Sequence, residues 1–118
     1  MALATSTRQM HGVTIVDCAG RLVFGEETSK FRELVKGLIP QHRNITINLD
    51  GVSYIDSGGL GTLVSLYTSA RKEGARINLA QLNKRVIDLL QITKLITVFD
   101  TYDKVDDAVR AFSSRASA

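Results

Sequence analysis

The stretch from Ile45 to Tyr67 changes its period halfway along, and that change fixes the kind of domain the chain can build. From Ile45 to Ile55 apolar and polar residues broadly alternate, the period of a β-strand. Leu60, Leu63, Val64 and Tyr67 then fall at i, i+3, i+4 and i+7, the period of an α-helix. Between the two lie Asp56, Ser57, Gly58, Gly59 and Gly61. A strand end, a small polar loop and a helix start form half of a β-α-β unit. In α/β domains that junction is the usual place for function. Ser57 is the candidate working residue.

The rest of the chain repeats the theme. Met1 to Thr7 reads as a loose terminus, with Arg8 to Met10 adding an edge strand. His11-Gly12 is a turn signal, and Val13 to Ala19 is a strand that Gly20 ends or kinks. Phe31, Leu34, Val35 and Leu38 predict a helix from Glu26 that Gly37 and Pro40 close. In the strand from Asn44 to Leu49, Ile45, Ile47 and Leu49 share one face. Thr46 and Asn48 share the other, which should be the less covered one. Asp50-Gly51 then reads as a turn.

The helix after Ser57 should run to about Glu73, with Gly74 past its end. Arg76 to Ala80 is a strand. Asn83 caps a short helix carrying Val86, Ile87, Leu89 and Leu90, with Lys84 and Arg85 in its first turn against the dipole. Leu95 to Phe99 is the last strand candidate. Asp103 caps a final helix with Val105, Ala108, Val109 and Phe112 on its apolar face, leaving Ser113 to Ala118 as a frayed tail. Helices alternating with strands imply an α/β fold with a mixed, mostly parallel sheet of 4–5 strands and about four helices. The first strand pair should be antiparallel.

The 118 residues, 44% apolar and 23% charged, suit one domain over 1–118 with its core in about 8–112. Trp is absent, so the core must be aliphatic. No apolar run is long enough for a bilayer and the first residues do not form a signal peptide, so a soluble, cytoplasmic protein is expected. Cys18 is the single cysteine, which excludes an internal disulfide and a cysteine metal site. It reads as a small buried hydrophobe. The net charge of +3 is spread along the chain. Arg71-Lys72 and Lys84-Arg85 lack interleaved aromatics and read as solvated faces, so no direct nucleic-acid partner is expected.

Catalytic readings find little support. A serine nucleophile needs a base within reach. His11 and His42 are the two histidines, both in turns, with His42 at the opposite strand end from Ser57. The flanking residues are not a Gly-x-Ser-x-Gly elbow. Gly58-Gly59-Leu60-Gly61 lacks the Lys of a P-loop and the spacing of a dinucleotide motif. No metal or cofactor is implied, and no enzyme activity is expected. From position alone, Asp56 or Ser57 is a plain helix N-cap, or Ser57 is an exposed phosphoacceptor at a helix start that tolerates an anion.

The run from Ile47 through Asp50, with Val52-Ser53-Tyr54-Ile55-Asp56-Ser57 and Gly59-Leu60-Gly61, resembles the signature of STAS domains. More narrowly, it is similar to the stand-alone bacterial anti-sigma factor antagonists. Gly20, Gly74 and the Val86-Leu89-Leu90 helix followed by Leu95 fall in the family's order. The resemblance implies a single STAS domain acting in partner switching. The antagonist binds an anti-sigma factor that is also a serine kinase of the histidine-kinase-like ATPase superfamily, and so frees the sigma factor. Phosphorylation of the serine after the motif aspartate releases it, and a metal-dependent serine phosphatase restores it. Carried over, the phosphoacceptor is Ser57, Asp56 orients the loop, and Asp56 to Gly61 (Asp56, Ser57, Gly58, Gly59, Leu60 and Gly61) form the partner-binding surface.

Three positions depart from the family pattern. Gly58 replaces a common Ser, Thr or Ala, which removes a second acceptor. Val23 stands where an acidic residue often lies near the phosphosite. Lys94 stands where a helix-ending glycine is common. The competing readings are a STAS subunit or scaffold of a transport or signalling complex with Ser57 unmodified, and a small serine hydrolase or nucleotide-binding protein. An open sheet edge leaves room for a weak homodimer, while no membrane partner is expected.

Overall fold

The computed structural model describes residues 3–116. Five strands form one sheet, β1 (Leu3–Met10), β2 (Val13–Leu22), β3 (Asn44–Ile55), β4 (Arg76–Ala80) and β5 (Thr101–Tyr102), side by side in chain order. Four helices connect or cover them, α1 (Glu26–Leu38), α2 (Ser57–Lys72), α3 (Lys84–Ile92) and α4 (Val105–Ala116). β1 pairs antiparallel with β2 through a turn at His11 and Gly12, and every later pairing is parallel. The sheet is therefore mixed and mostly parallel, as the alternation of periods requires.

With crossovers of the usual right hand, a sheet ordered in sequence puts α1, α2 and α3 on one face. Leu22, Phe31, Val35, Ile45, Ile47, Leu49, Leu63 and Leu66 are buried together there. Ala80, Val13 and Ile15 pack on α4 through Val105, Ala108, Val109 and Phe112 on the other. Cys18 lies in the first cluster, where burial pushes its thiol up to about 12.

The structure corrects several expectations. The loose terminus is a strand from Leu3 onward, in register from Leu3 opposite Gly20 to Met10 opposite Val13. Asp50-Gly51 is not a turn. β3 runs straight through it, and the register against β2 slips once between Asp17 and Ala19 and again between Gly20 and Arg21. Both slips give β3 an extra residue, so the turn signal is spent on a bulge. Gly51 allows close approach there, since a Cβ on it would lie 2.8 Å from Ala19 Cβ. The face bearing Thr46 and Asn48 is covered, not open. Thr46 Oγ1 donates to Asn78 Oδ1 at 2.7 Å, and Asn78 Nδ2 donates to the Ala108 carbonyl of α4 at 2.9 Å.

Leu95 to Phe99 is not a strand. Leu95–Thr97 is a 3₁₀ turn, and Phe99 packs edge-on against Tyr67 with centroids 5.5 Å apart. The last strand comes two residues later and is only Thr101–Tyr102. Asp103 does not stand directly before α4, which begins at Val105 and continues through Ser113 to Ala116. Ser117 and Ala118 of the expected tail, like Met1 and Ala2 of the expected loose terminus, lie outside the described residues.

Candidate functional site

The site is the junction of β3 and α2. Ile55 is buried at the end of β3, and Asp56 follows in an extended conformation that stops the strand and starts the helix. Its carboxylate is the N-cap, since Oδ1 accepts from the Gly59 N–H at 2.8 Å. Both oxygens also accept from the Phe24 N–H at 3.1 Å. One side chain thus ties the start of α2 to the connection between β2 and α1. The Gly59 N–H, with those of Phe24 and Gly58, holds the Asp56 carboxyl below its ordinary value, against a smaller opposing effect of burial.

Asp56 carries the cap, so Ser57 does not. Ser57 is the first residue of α2 and is exposed, and its hydroxyl has no hydrogen-bond partner among the described residues. Gly61 is also exposed and Gly58 half-buried. Gly59 and Leu60 are buried. A Cβ on Gly59 would overlap the Leu22 carbonyl, with its carbon 2.7 Å away. That glycine lets the helix start press onto β2. A Cβ on Gly58 would lie 2.7 Å from Phe24 Cβ, so a side chain here would displace that loop.

Phe24 is the residue that periodicity does not find. It is 86% exposed beside Gly58 and borders a groove of about 280 Å³ between α1 and α2, with Arg32, Thr62 and Ser65. A large apolar residue beside Gly25, in a connection with no period of its own, is the only signal the sequence offers. Val23, half-buried, immediately precedes it. Lys94 holds the left-handed conformation, φ 67°, that a helix-ending glycine normally supplies.

No base approaches Ser57. His42 Nδ1 lies 2.8 Å from Thr14 Oγ1 at the start of β2, and His11 sits in the β1–β2 turn, both at the other end of the sheet. Among the described residues no group of three or more His, Cys, Asp and Glu side chains could hold a metal ion. None of their helices is long and apolar enough to cross a membrane.

This geometry meets a clear match among known proteins: the STAS domain profile covers residues 4–108. The chain belongs to the STAS domain family. It is 35% identical over 79 residues to the anti-sigma-B factor antagonist of Bacillus subtilis (strain 168), covering 67% of this chain and 72% of that protein. Its fold is similar to the crystal structure of a putative anti-sigma factor antagonist from Thermotoga maritima. That match has a TM-score of 0.83 and 25% identity, over 91% of this chain and 92% of the other. The phosphorylated form of the Bacillus cell fate determinant SpoIIAA shares the fold at a TM-score of 0.71 and 16% identity, over 92% and 99% of the two chains.

Proposed function

We propose that this STAS domain is an anti-sigma factor antagonist, not an enzyme, controlled by reversible phosphorylation of Ser57. The observation that carries the reading is the division of labour at the helix start. Asp56 makes the cap bonds, and Ser57 is left exposed with an unengaged hydroxyl. A serine needed for the fold would be a poor switch; this one is spare. The partner is an anti-sigma factor that is also a serine kinase of the histidine-kinase-like ATPase superfamily, and a metal-dependent serine phosphatase resets the protein.

Unmodified, Ser57, Gly58 and Gly61 offer a small, smooth surface, with Phe24 beside it as an apolar anchor. Aromatic residues of this kind often carry much of an interface's energy. Phosphorylation would place about −1.5 to −2 charges there. Left unpaired in a closed interface, that charge costs several kcal/mol. A coupling of about 1–3 kcal/mol already suffices for regulation. The helix start itself favours an anion, so the domain need not unfold to carry the group.

The test is to incubate the protein with ATP and the serine kinases encoded near its gene, and to locate phosphate by mass spectrometry. One phosphate, at Ser57, is expected, with none in Ser57→Ala. Ser57→Asp should weaken binding to the same kinase at least tenfold, whereas Ser57→Ala should keep binding and lose release. Modification at other residues only, or none with any kinase that binds, would defeat the reading.

A further inference from the structure

The basic residues are dispersed along the chain, yet the fold gathers three of them at one place. Arg21 stands opposite Tyr54 in the β2–β3 register, and Lys84 and Arg85 open α3. The Arg21 guanidinium carbon lies 5.7 Å from the Tyr54 ring centroid and that of Arg85 lies 5.8 Å from it. One ring, 38% exposed, thus holds two guanidinium groups from different elements. With Ser53, Asn83 and Lys84 they line an open concavity of about 750 Å³.

Most polar groups of that concavity are already engaged. Asn83 Nδ2 donates to the Val52 carbonyl and Asn83 Oδ1 accepts from the Val86 N–H. Ser53 Oγ donates to the Gly20 carbonyl. Lys84 pairs with Asp88 at 2.9 Å. Arg21, Arg85 and the Tyr54 hydroxyl have no hydrogen bond or carboxylate partner among the described residues. Two cations around one ring repel each other, and Arg85 also lies in the first turn of a helix, where positive charge is unfavourable. The fold meets these two charges with a ring face and not with a carboxylate, which leaves their N–H groups open to a negative ligand from outside, because the planar guanidinium matches a carboxylate with two parallel bonds.

The neighbouring surface narrows the ligand class. Ile92, 78% exposed, joins Tyr54, Arg85 and Leu89 along an adjoining, mainly apolar hollow of about 230 Å³, whose lining also includes Asp88, already neutralised by Lys84. Cations beside an apolar hollow suit a polypeptide carrying carboxylates and an aliphatic side chain. A nucleic acid would instead want a track of cations following its backbone.

We infer that Arg21, Tyr54 and Arg85 form a receptor for an acidic segment of a partner protein, with Ile92 receiving its apolar neighbour. The inference rests on the antagonist reading for the partner's identity. Tyr54 precedes Ser57 by three residues at the same sheet end, so the segment belongs to the kinase that docks at Ser57. The interface then extends from α2 to α3.

Two measurements test it. The first needs no partner. An octapeptide of Glu, Asp and Leu is titrated into the ¹⁵N-labelled protein, beside a Lys octapeptide, ATP and a duplex DNA dodecamer. Saturable shifts of the Arg21 and Arg85 side-chain N–H and Tyr54 ring signals with the acidic peptide are expected, and their loss in R21E/R85E. Shifts spread evenly over all surface cations, or tighter binding of ATP or DNA at the same signals, would overturn the receptor. The second measures the kinase affinity of R21E/R85E against wild type at low and high salt, with thermal melts to confirm folding. At least tenfold weakening and a flatter salt dependence are expected. An unchanged affinity and salt slope would overturn the inference and leave the antagonist reading intact. If no kinase binds wild type, the antagonist reading falls, and the peptide titration alone decides whether the receptor exists.

Discussion

Asp56 is a junction rather than a contact: a single carboxylate serves two backbone donors from different parts of the chain. Removing it should free both at once. Asp56→Ala should lower stability by about 1 kcal/mol, the usual worth of a helix cap, and should raise amide exchange at Gly59 and Phe24 together. Its pH dependence has a definite sign. The carboxyl is held below its ordinary value of 3.8 in the folded state, so its contribution is full above that value and is lost as pH falls through the lower folded value. The gap between wild-type and Asp56→Ala melting curves should therefore be constant near neutrality and close on strong acidification. A gap that widens in acid would refute the assignment. Gly59→Ala should do more harm, roughly 3 kcal/mol, because its methyl group meets the Leu22 carbonyl, which no rotamer can move aside. Urea midpoints would read this. A change under 1 kcal/mol would mean that α2 can lift from β2 at little cost.

Elements whose signals are local could be read from the sequence: α1, α2, α3 and β4 stand where period, caps and breakers put them. The Asn83 cap is confirmed by its bond to the Val86 N–H at 2.9 Å. Elements defined by a partner could be read in part or not at all, and of β1 only the Arg8 to Met10 end and its antiparallel pairing were legible. Ala4 to Gln9 are exposed, so β1 has no buried face to give it a period, and it exists because β2 offers an edge. Asp50-Gly51 carries a turn's chemistry, yet β2 continues alongside and turns it into a bulge. Leu95 to Phe99 has a strand's composition, but its aromatic anchor on Tyr67 is served as well by a 3₁₀ turn. At the site the loop and Ser57 as its candidate residue were legible, but not which of Asp56 and Ser57 caps the helix. The bond from Phe24 to Asp56 and the Arg21–Tyr54–Arg85 cluster were not, because each joins residues about thirty positions apart. β1 yields its own prediction. Deleting residues 1–7 removes most of the β1–β2 ladder and the ordered approach to Arg8, whose guanidinium meets Asp17 at 2.7 Å. Stability should fall by about 2 kcal/mol or more, and the bared edge of β2 should promote self-association, visible by size-exclusion chromatography. A variant that melts as wild type and stays monomeric would show the strand to be dispensable.

A sheet whose strands follow chain order has no point at which that order reverses, and so lacks the crevice in which open α/β sheets hold nucleotides. The ends of β2 and β3 instead present a shallow rim of Phe24, Ser57, Tyr54 and Arg21, suited to a protein surface. Burial is supplied elsewhere, by α1 to α3 beneath one face and α4 beneath the other. The α4 layer is tied to the sheet by the buried chain Thr46–Asn78–Ala108, whose groups have no water to turn to. Asn78→Ala strands the Thr46 hydroxyl and the Ala108 carbonyl at once and should cost roughly 2–3 kcal/mol. Adding Thr46→Val removes one of the stranded groups and should recover part of that loss, a coupling that a double-mutant cycle measures. Because α4 packs on the sheet face opposite α2, the Asn78→Ala protein should still be phosphorylated at Ser57 and bind its kinase as wild type does, at temperatures where it remains folded. Loss of Ser57 modification in a folded Asn78→Ala protein would show that the two faces of the sheet are coupled, and that the rim is not the independent switch we propose.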